Sequence, residues 1–136
     1  MKLPEKFRLS SRGTRLSLVL LLSAILGFCA VVIPGLLNCD SIAPTPLFPQ
    51  VRAGVKNMPS LSYFLLFLVG AVFGTIEPKR PKLIGMSSII LFPLVTVAEK
   101  SIDISSHPYM AWEITYYLLL GLASTFGAFL GKELRT

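Results

Sequence analysis

Charged residues are scarce in this chain of 136 residues, where they make up 15% of the sequence against 53% apolar residues. About a quarter of the residues in an ordinary soluble domain are charged, so the composition excludes that class. The few charges also fall between four apolar runs instead of alternating with apolar residues at the period of a soluble core. This arrangement indicates a chain that is surrounded by lipid along most of its length.

Histidine and cysteine are equally rare, with one His and two Cys. Cys29 and Cys39 would lie ~15 Å apart along a helix, beyond the reach of a disulfide. We therefore expect one buried thiol and one loop thiol. No cofactor, nucleotide or catalytic motif stands out, so we expect no cofactor and no enzyme activity. No acid lies at the middle of an apolar run, where an ionisable group would by default mark a function.

The four apolar runs predict four transmembrane helices. A helix rises about 1.5 Å per residue, so ~20 residues cross a hydrocarbon core of ~30 Å. A helix also satisfies its own backbone hydrogen bonds, as lipid requires. The predicted fold is a single all-α membrane domain, an up-down bundle of four helices. Its predicted spans cover residues 16–33, 61–76, 83–100 and 108–130.

The connecting segments differ in composition. They are a basic tail (1–15), a proline-rich loop (34–60), a short turn (77–82), a second loop (101–107) and a C-terminal tail (131–136). Within the long loop, Val51, Val55 and Met58 follow a helical spacing, which leaves a short helix on the membrane surface and an irregular loop equally open. Pro93 predicts a kink in the third helix, because it cannot donate a hydrogen bond to the carbonyl of Ile89.

The basic start followed by an apolar run also describes a secretory signal peptide. The run at 16–33 is longer than a usual signal core, and the nearest small-x-small site, Ser41 to Ala43, precedes Pro44. We therefore expect a retained signal-anchor helix, with a cleaved signal as the alternative. An organelle transit peptide is a weaker alternative.

The placement of Lys and Arg predicts the orientation. Five lie in the N-terminal tail, three in the turn at 77–82 and two in the C-terminal tail, against only Arg52 and Lys56 in the long loop and Lys100 at the end of the third span. The positive-inside rule then puts both termini in the cytoplasm of a multi-pass cell-membrane (inner-membrane) protein. The net charge of +6 is thereby explained without a nucleic-acid partner.

Three of the acids and the single histidine predict a weak polar site at the outer mouth of the bundle. Glu99, Asp103 and His107 follow one another at intervals of four, and Glu113 lies about one turn into the fourth helix. Such a group could bind a divalent cation or relay protons, although whether a metal binds is unknown. The alternative is that these are solvated interface residues.

Small and aromatic residues predict where the helices pack and where they meet the interface. Paired small residues let membrane helices approach closely. We predict packing surfaces, for another helix of this chain or of a partner, at Gly70, Gly74, Ala123, Gly127 and Gly131. Trp and Tyr favour the membrane–water boundary. The predicted interface anchors are Tyr109, Trp112, Tyr116 and Tyr117.

Three functions remain open. The favoured one is an accessory or scaffold subunit, or a homo-oligomer, that acts through helix packing with the bilayer and a membrane-protein partner. The second is a small oligomeric transporter or channel that uses Glu99, Asp103 and Glu113. A membrane enzyme is the third, and the outer group of acids and histidine is its only support.

Overall fold

The computed structural model describes residues 5–40, 48–102, 104 and 110–135, and all regular secondary structure in these ranges is helical. The all-α prediction is therefore confirmed for the described residues. The helices are α1 (Glu5–Leu37), α2 (Pro49–Lys56), α3 (Ser60–Ile76), α4 (Pro81–Ser87), α5 (Leu91–Ile102) and α6 (Met110–Arg135).

Two stretches are long and apolar enough to cross a membrane on their own: Arg12–Leu37 in α1 and Ala111–Arg135 in α6. Two further candidates are bent pairs of helices. The helices α2 and α3 meet at 102°, whereas α4 and α5 are bent by 40°. The structure thus holds two to four candidate spans.

The contacts between helices fix their relative directions. Ser23 and Gly27 of α1 meet Ile84 and Ser88 at a constant offset, so α1 and α4 run parallel. The helices α3 and α6 also run parallel, because Gly70 meets Ser124 and the α3 carbonyl end meets Arg135. Arg15 of α1 meets the last residue of α3, Ile76, so these two helices run in opposite directions and consecutive long helices alternate.

The closest packing is between α3 and α6, which approach backbone to backbone. A methyl group added at Gly70 would overlap the carbonyl oxygen of Ser124, and one at Gly74 would overlap that of Ala128. Gly127 and Gly131 of α6 lie equally close to the backbone of α3. Lipid provides little hydrophobic drive between helices, so such close van der Waals contact stabilises their association.

The third predicted helix, 83–100, is divided in the structure. Residues 88–90 separate α4 from α5 with tight turns in which the amide of Ile90 donates to the carbonyl of Ser87. The amide of Phe92 donates to the carbonyl of Ile89, the acceptor that Pro93 cannot serve. The bend therefore lies just before Pro93, as expected for a helix that loses one hydrogen bond there.

The first predicted helix, 16–33, is longer in the structure: α1 begins at Glu5, within the predicted basic tail, and continues through Pro34 to Leu37. The long connection that follows contains the ordered helix α2, which packs against the end of α1. Gly35 allows this contact, because a methyl group there would overlap the backbone of Gly54. Val51 and Val55 of α2 pack against the apolar core, and this removal of apolar surface from solvent stabilises the position of α2.

Candidate functional site

A cavity of about 440 Å³ lies between α5 and α6 and is covered on one side by α2. We call it the aromatic-end cavity, since Trp112, Tyr116 and Tyr117 line it. Small-molecule sites commonly have volumes of about 300–1,000 Å³ and mostly apolar walls with a few polar groups. The cavity matches this description in both size and lining.

The bend between α4 and α5 creates this space. On the α4 side of the bend α4 packs closely on α6, with Gly85 against Thr125, and Ile89 in the bend lies against Gly121. On the other side of the bend α5 makes few contacts with α6. The two helices therefore diverge like a wedge, and the cavity occupies the gap.

Stacked aromatic rings form the inner wall of the cavity. The ring of Phe92 lies between Phe28 and Tyr117, with centroid separations of 5.2 Å and 5.5 Å. Each such pair stabilises packing by about 0.5–1.5 kcal/mol beyond its buried area. Tyr117 also forms a side-chain hydrogen bond with Thr96 of α5. These contacts join α1, α5 and α6 at the inner wall.

Glu99 places a carboxylate in the wall although its side chain is only 1% exposed. Its Oε1 accepts a hydrogen bond of 2.9 Å from the backbone amide of Phe48, the residue before α2. Burying a charge costs free energy unless hydrogen bonds and partners compensate it. The bond to Phe48 therefore connects the position of α2 to that of the buried acid.

The rim of the cavity carries charges of both signs. Arg52 and Lys56 extend from α2 and are exposed, whereas Glu113 of α6 is half-buried. Trp112 is 76% exposed at the mouth. The hydroxyl oxygens of Tyr63 and Tyr116 are 3.3 Å apart at the same end of the molecule. The mouth thus combines aromatic surface with solvated charge.

The structure brings together part of the predicted polar site. Glu99 and Glu113 line one cavity, while Asp103 and His107 lie outside the described residues. Within the described part of the chain, no group of three or more His, Cys, Asp or Glu residues could hold a metal ion. Among the predicted interface anchors, Trp112, Tyr116 and Tyr117 line the cavity, and Tyr109 is outside the described residues.

The predicted packing residues lie away from the cavity. Gly70, Gly74, Gly127 and Gly131 are all buried where α3 meets α6. Ala123 is half-buried and packs against the central apolar cluster. These small residues are therefore occupied by contacts within this chain.

Several lining residues were not singled out from the sequence. Arg52 and Lys56 were counted only for orientation, and Phe92 and Thr96 lie in an apolar run without a recognisable motif. The spacing of Phe92, Thr96 and Glu99 along one helix face was the available signal. This spacing does not predict a cavity by itself, because the cavity exists only where α5 diverges from α6.

No protein-family model, curated protein or solved structure matches this chain. The chemistry of the cavity must therefore be inferred from its own residues. It offers a buried carboxylate, aromatic faces, and hydroxyl groups of Tyr117 and Thr96. These groups can accept hydrogen bonds and attract a positive charge, while the apolar walls can hold a hydrocarbon or aromatic body.

Proposed function

We propose that this protein binds an amphipathic organic amine in the aromatic-end cavity and acts as a small membrane carrier for it. The observation that carries the proposal is the buried carboxylate of Glu99 in an aromatic wall. Charges interact most strongly where water is excluded. A carboxylate that lines a cavity together with aromatic faces favours an ammonium group as the ligand that it recognises.

The positive side chains at the rim do not cancel the preference of the cavity for a cationic ligand. Arg52 and Lys56 are exposed, so solvent and salt screen their charges. The aromatic faces of Trp112 and Tyr116 attract cations through their quadrupoles. A ligand with an apolar body and one amine would therefore place its body against the walls and its charge near Glu99.

The proposed setting is a cell membrane that α1, α3, the pair α4–α5 and α6 each cross once, with both termini in the cytoplasm. The alternating helix directions support it, because Arg15 and Arg135 both reach the carbonyl end of α3. The aromatic-end cavity then opens near the outer interface, where amphipathic molecules concentrate and where Trp and Tyr are favoured.

An accessory or scaffold role remains a second proposal with less support. The prediction of this role depended on helix faces of small residues that could pack against a helix of a partner protein. In this structure those faces are covered by the contact between α3 and α6. A partner would have to use another surface of the protein.

The cavity contains the only tryptophan of the chain, so binding can be followed by its fluorescence. The protein in phosphatidylcholine nanodiscs would be titrated with decylammonium and, separately, with decanoate. We expect saturable binding of decylammonium and only unsaturable partitioning of decanoate. Empty nanodiscs would give the partitioning baseline for both probes.

Glu99→Gln tests the role of the carboxylate, because an amide can still accept the hydrogen bond from Phe48. We expect the dissociation constant for decylammonium to rise at least about tenfold, or ~1.4 kcal/mol. Glu133→Gln is the matched control, since Glu133 is exposed near the opposite end of α6. Equal affinity for both probes, or equal effects of the two variants, would contradict the proposal.

A further inference from the structure

A second cleft, of about 390 Å³, lies at the opposite end of the molecule from the aromatic-end cavity. We call it the basic cleft, because one carboxylate, Glu77, faces five cationic side chains. Those cations are Arg12, Arg15, Lys79, Arg80 and Arg135. They come from α1, from the turn between α3 and α4, and from the end of α6. Residues that are distant in the sequence therefore build one positively charged site.

Two of the arginines are held in place by backbone hydrogen bonds. Arg15 Nη2 donates to the carbonyl oxygen of Ile76 at 3.3 Å. Arg135 Nη1 donates to the carbonyl oxygens of Thr75 at 2.8 Å and Ile76 at 2.9 Å. These bonds satisfy carbonyls at the end of α3 that have no partner within the helix. Each guanidinium carries five N–H donors, so the bonds orient the group without exhausting it.

The cleft lies where charge gives way to apolar surface. Leu16 and Ile76 belong to its lining; Leu16 begins the apolar part of α1, and Ile76 is the last residue of α3. In a membrane this boundary is the depth of the lipid phosphates. Basic pockets between membrane helices bind anionic head groups, and guanidinium groups match phosphate oxygens with paired hydrogen bonds.

We propose that the basic cleft binds the phosphate head group of an anionic phospholipid that carries more than one negative charge. The excess of cations over Glu77 favours a phosphomonoester or a double phosphate over a head group with a single charge. The acyl chains of that lipid would follow the apolar surface beside Leu16 and Ile76. This site is independent of the amine site, because it shares no lining residue with the aromatic-end cavity.

The test counts lipids that remain bound to the purified protein by native mass spectrometry. The protein would be taken from nanodiscs of phosphatidylcholine mixed with either phosphatidic acid or phosphatidylglycerol. We expect one retained phosphatidic acid per chain, with an affinity at least about tenfold above that for phosphatidylglycerol. Inorganic phosphate and glycerol 3-phosphate would be added as soluble competitors, and we expect neither to displace the lipid at millimolar concentration.

A matched pair of double variants separates a site from general surface attraction. Arg12→Gln with Arg80→Gln removes two charges from the cleft and leaves the hydrogen bonds of Arg15 and Arg135 intact. Lys82→Gln with Lys132→Gln removes two charges from the same end outside the cleft lining. We expect only the first pair to weaken retention of phosphatidic acid, by at least about tenfold.

Three outcomes would overturn the proposal. Equal losses in both pairs would indicate diffuse attraction to the surface. Displacement of the lipid by inorganic phosphate would assign the site to a free anion. Equal retention of phosphatidylcholine would show that the head-group charge is not recognised. Trp112 fluorescence with decylammonium, measured on the same variants, would report on the aromatic-end cavity separately.

Discussion

At the scale of single residues, the glycines differ sharply in what surrounds them. Gly127 and Gly131 of α6 face the backbone of α3 so closely that a methyl group would overlap it. Gly13, also helical, has nothing within 4 Å of the position that a Cβ would take. A Gly→Ala substitution should therefore destabilise the protein at Gly127 or Gly131 but not at Gly13.

Gly127→Ala should lower the free energy of unfolding by about 1–3 kcal/mol, because overpacking forces the backbones of α3 and α6 apart. Gly13→Ala should be neutral or raise it by up to ~1 kcal/mol, since alanine favours the helix. Reversible unfolding of both variants in mixed detergent micelles would measure the difference. Equal stability of the two variants would refute this account of the α3–α6 contact.

At the scale of helices, the apolar runs predicted where helices form, whereas several boundaries differ, since α1 begins at Glu5 and α6 ends at Arg135. The run at 61–76 differs from α3 by a single residue at its start. The sequence was insufficient for α1 beyond residue 33, since a proline removes a helical hydrogen bond and yet Pro34 lies inside the helix. Tertiary contact between Gly35 and Gly54 stabilises the extra turn, and such a contact leaves no local pattern in the sequence.

The candidate site was predictable only in part for the same reason. Glu99 and Glu113 were singled out as scarce acids near the end of apolar runs, and both line the cavity. Arg52 and Lys56 join them because α2 folds back over the bundle. Their participation depends on the 102° angle between α2 and α3, which composition alone does not specify.

Pro93 should control the width of the cavity. In Pro93→Ala the new amide can donate to the carbonyl of Ile89, which would straighten the 40° bend and bring α5 towards α6. Spin labels at Val97 and Leu118, both exposed, should then move several ångströms closer in pulsed electron resonance. Labels at Leu83 and Phe126, on the other side of the bend, should keep their separation. An unchanged Val97–Leu118 distance would show that the bend does not depend on proline.

At the scale of the whole molecule, the basic cleft and the cluster of Trp and Tyr residues lie at opposite ends. The cations of the basic cleft lie at one end, and Tyr63, Trp112 and Tyr116 lie at the other. Cytoplasmic loops retain Lys and Arg, whereas Trp and Tyr are favoured at either interface. The basic end should therefore face the cytoplasm, and the aromatic-end cavity should open towards the outside.

This orientation predicts which thiols react from which side of the membrane. Cys39 is half-buried just beyond α1 at the aromatic end, and Lys132→Cys would place a thiol at the basic end. In right-side-out vesicles a membrane-impermeant maleimide should label Cys39 and spare residue 132. Inverted vesicles should show the reverse, while Cys29, within the candidate span of α1, should be protected in both. The two sites should be compared in variants that keep one cysteine each. Labelling of both from the same side would rule out an odd number of crossings between them, and with it the alternating topology on which the outward-facing cavity depends.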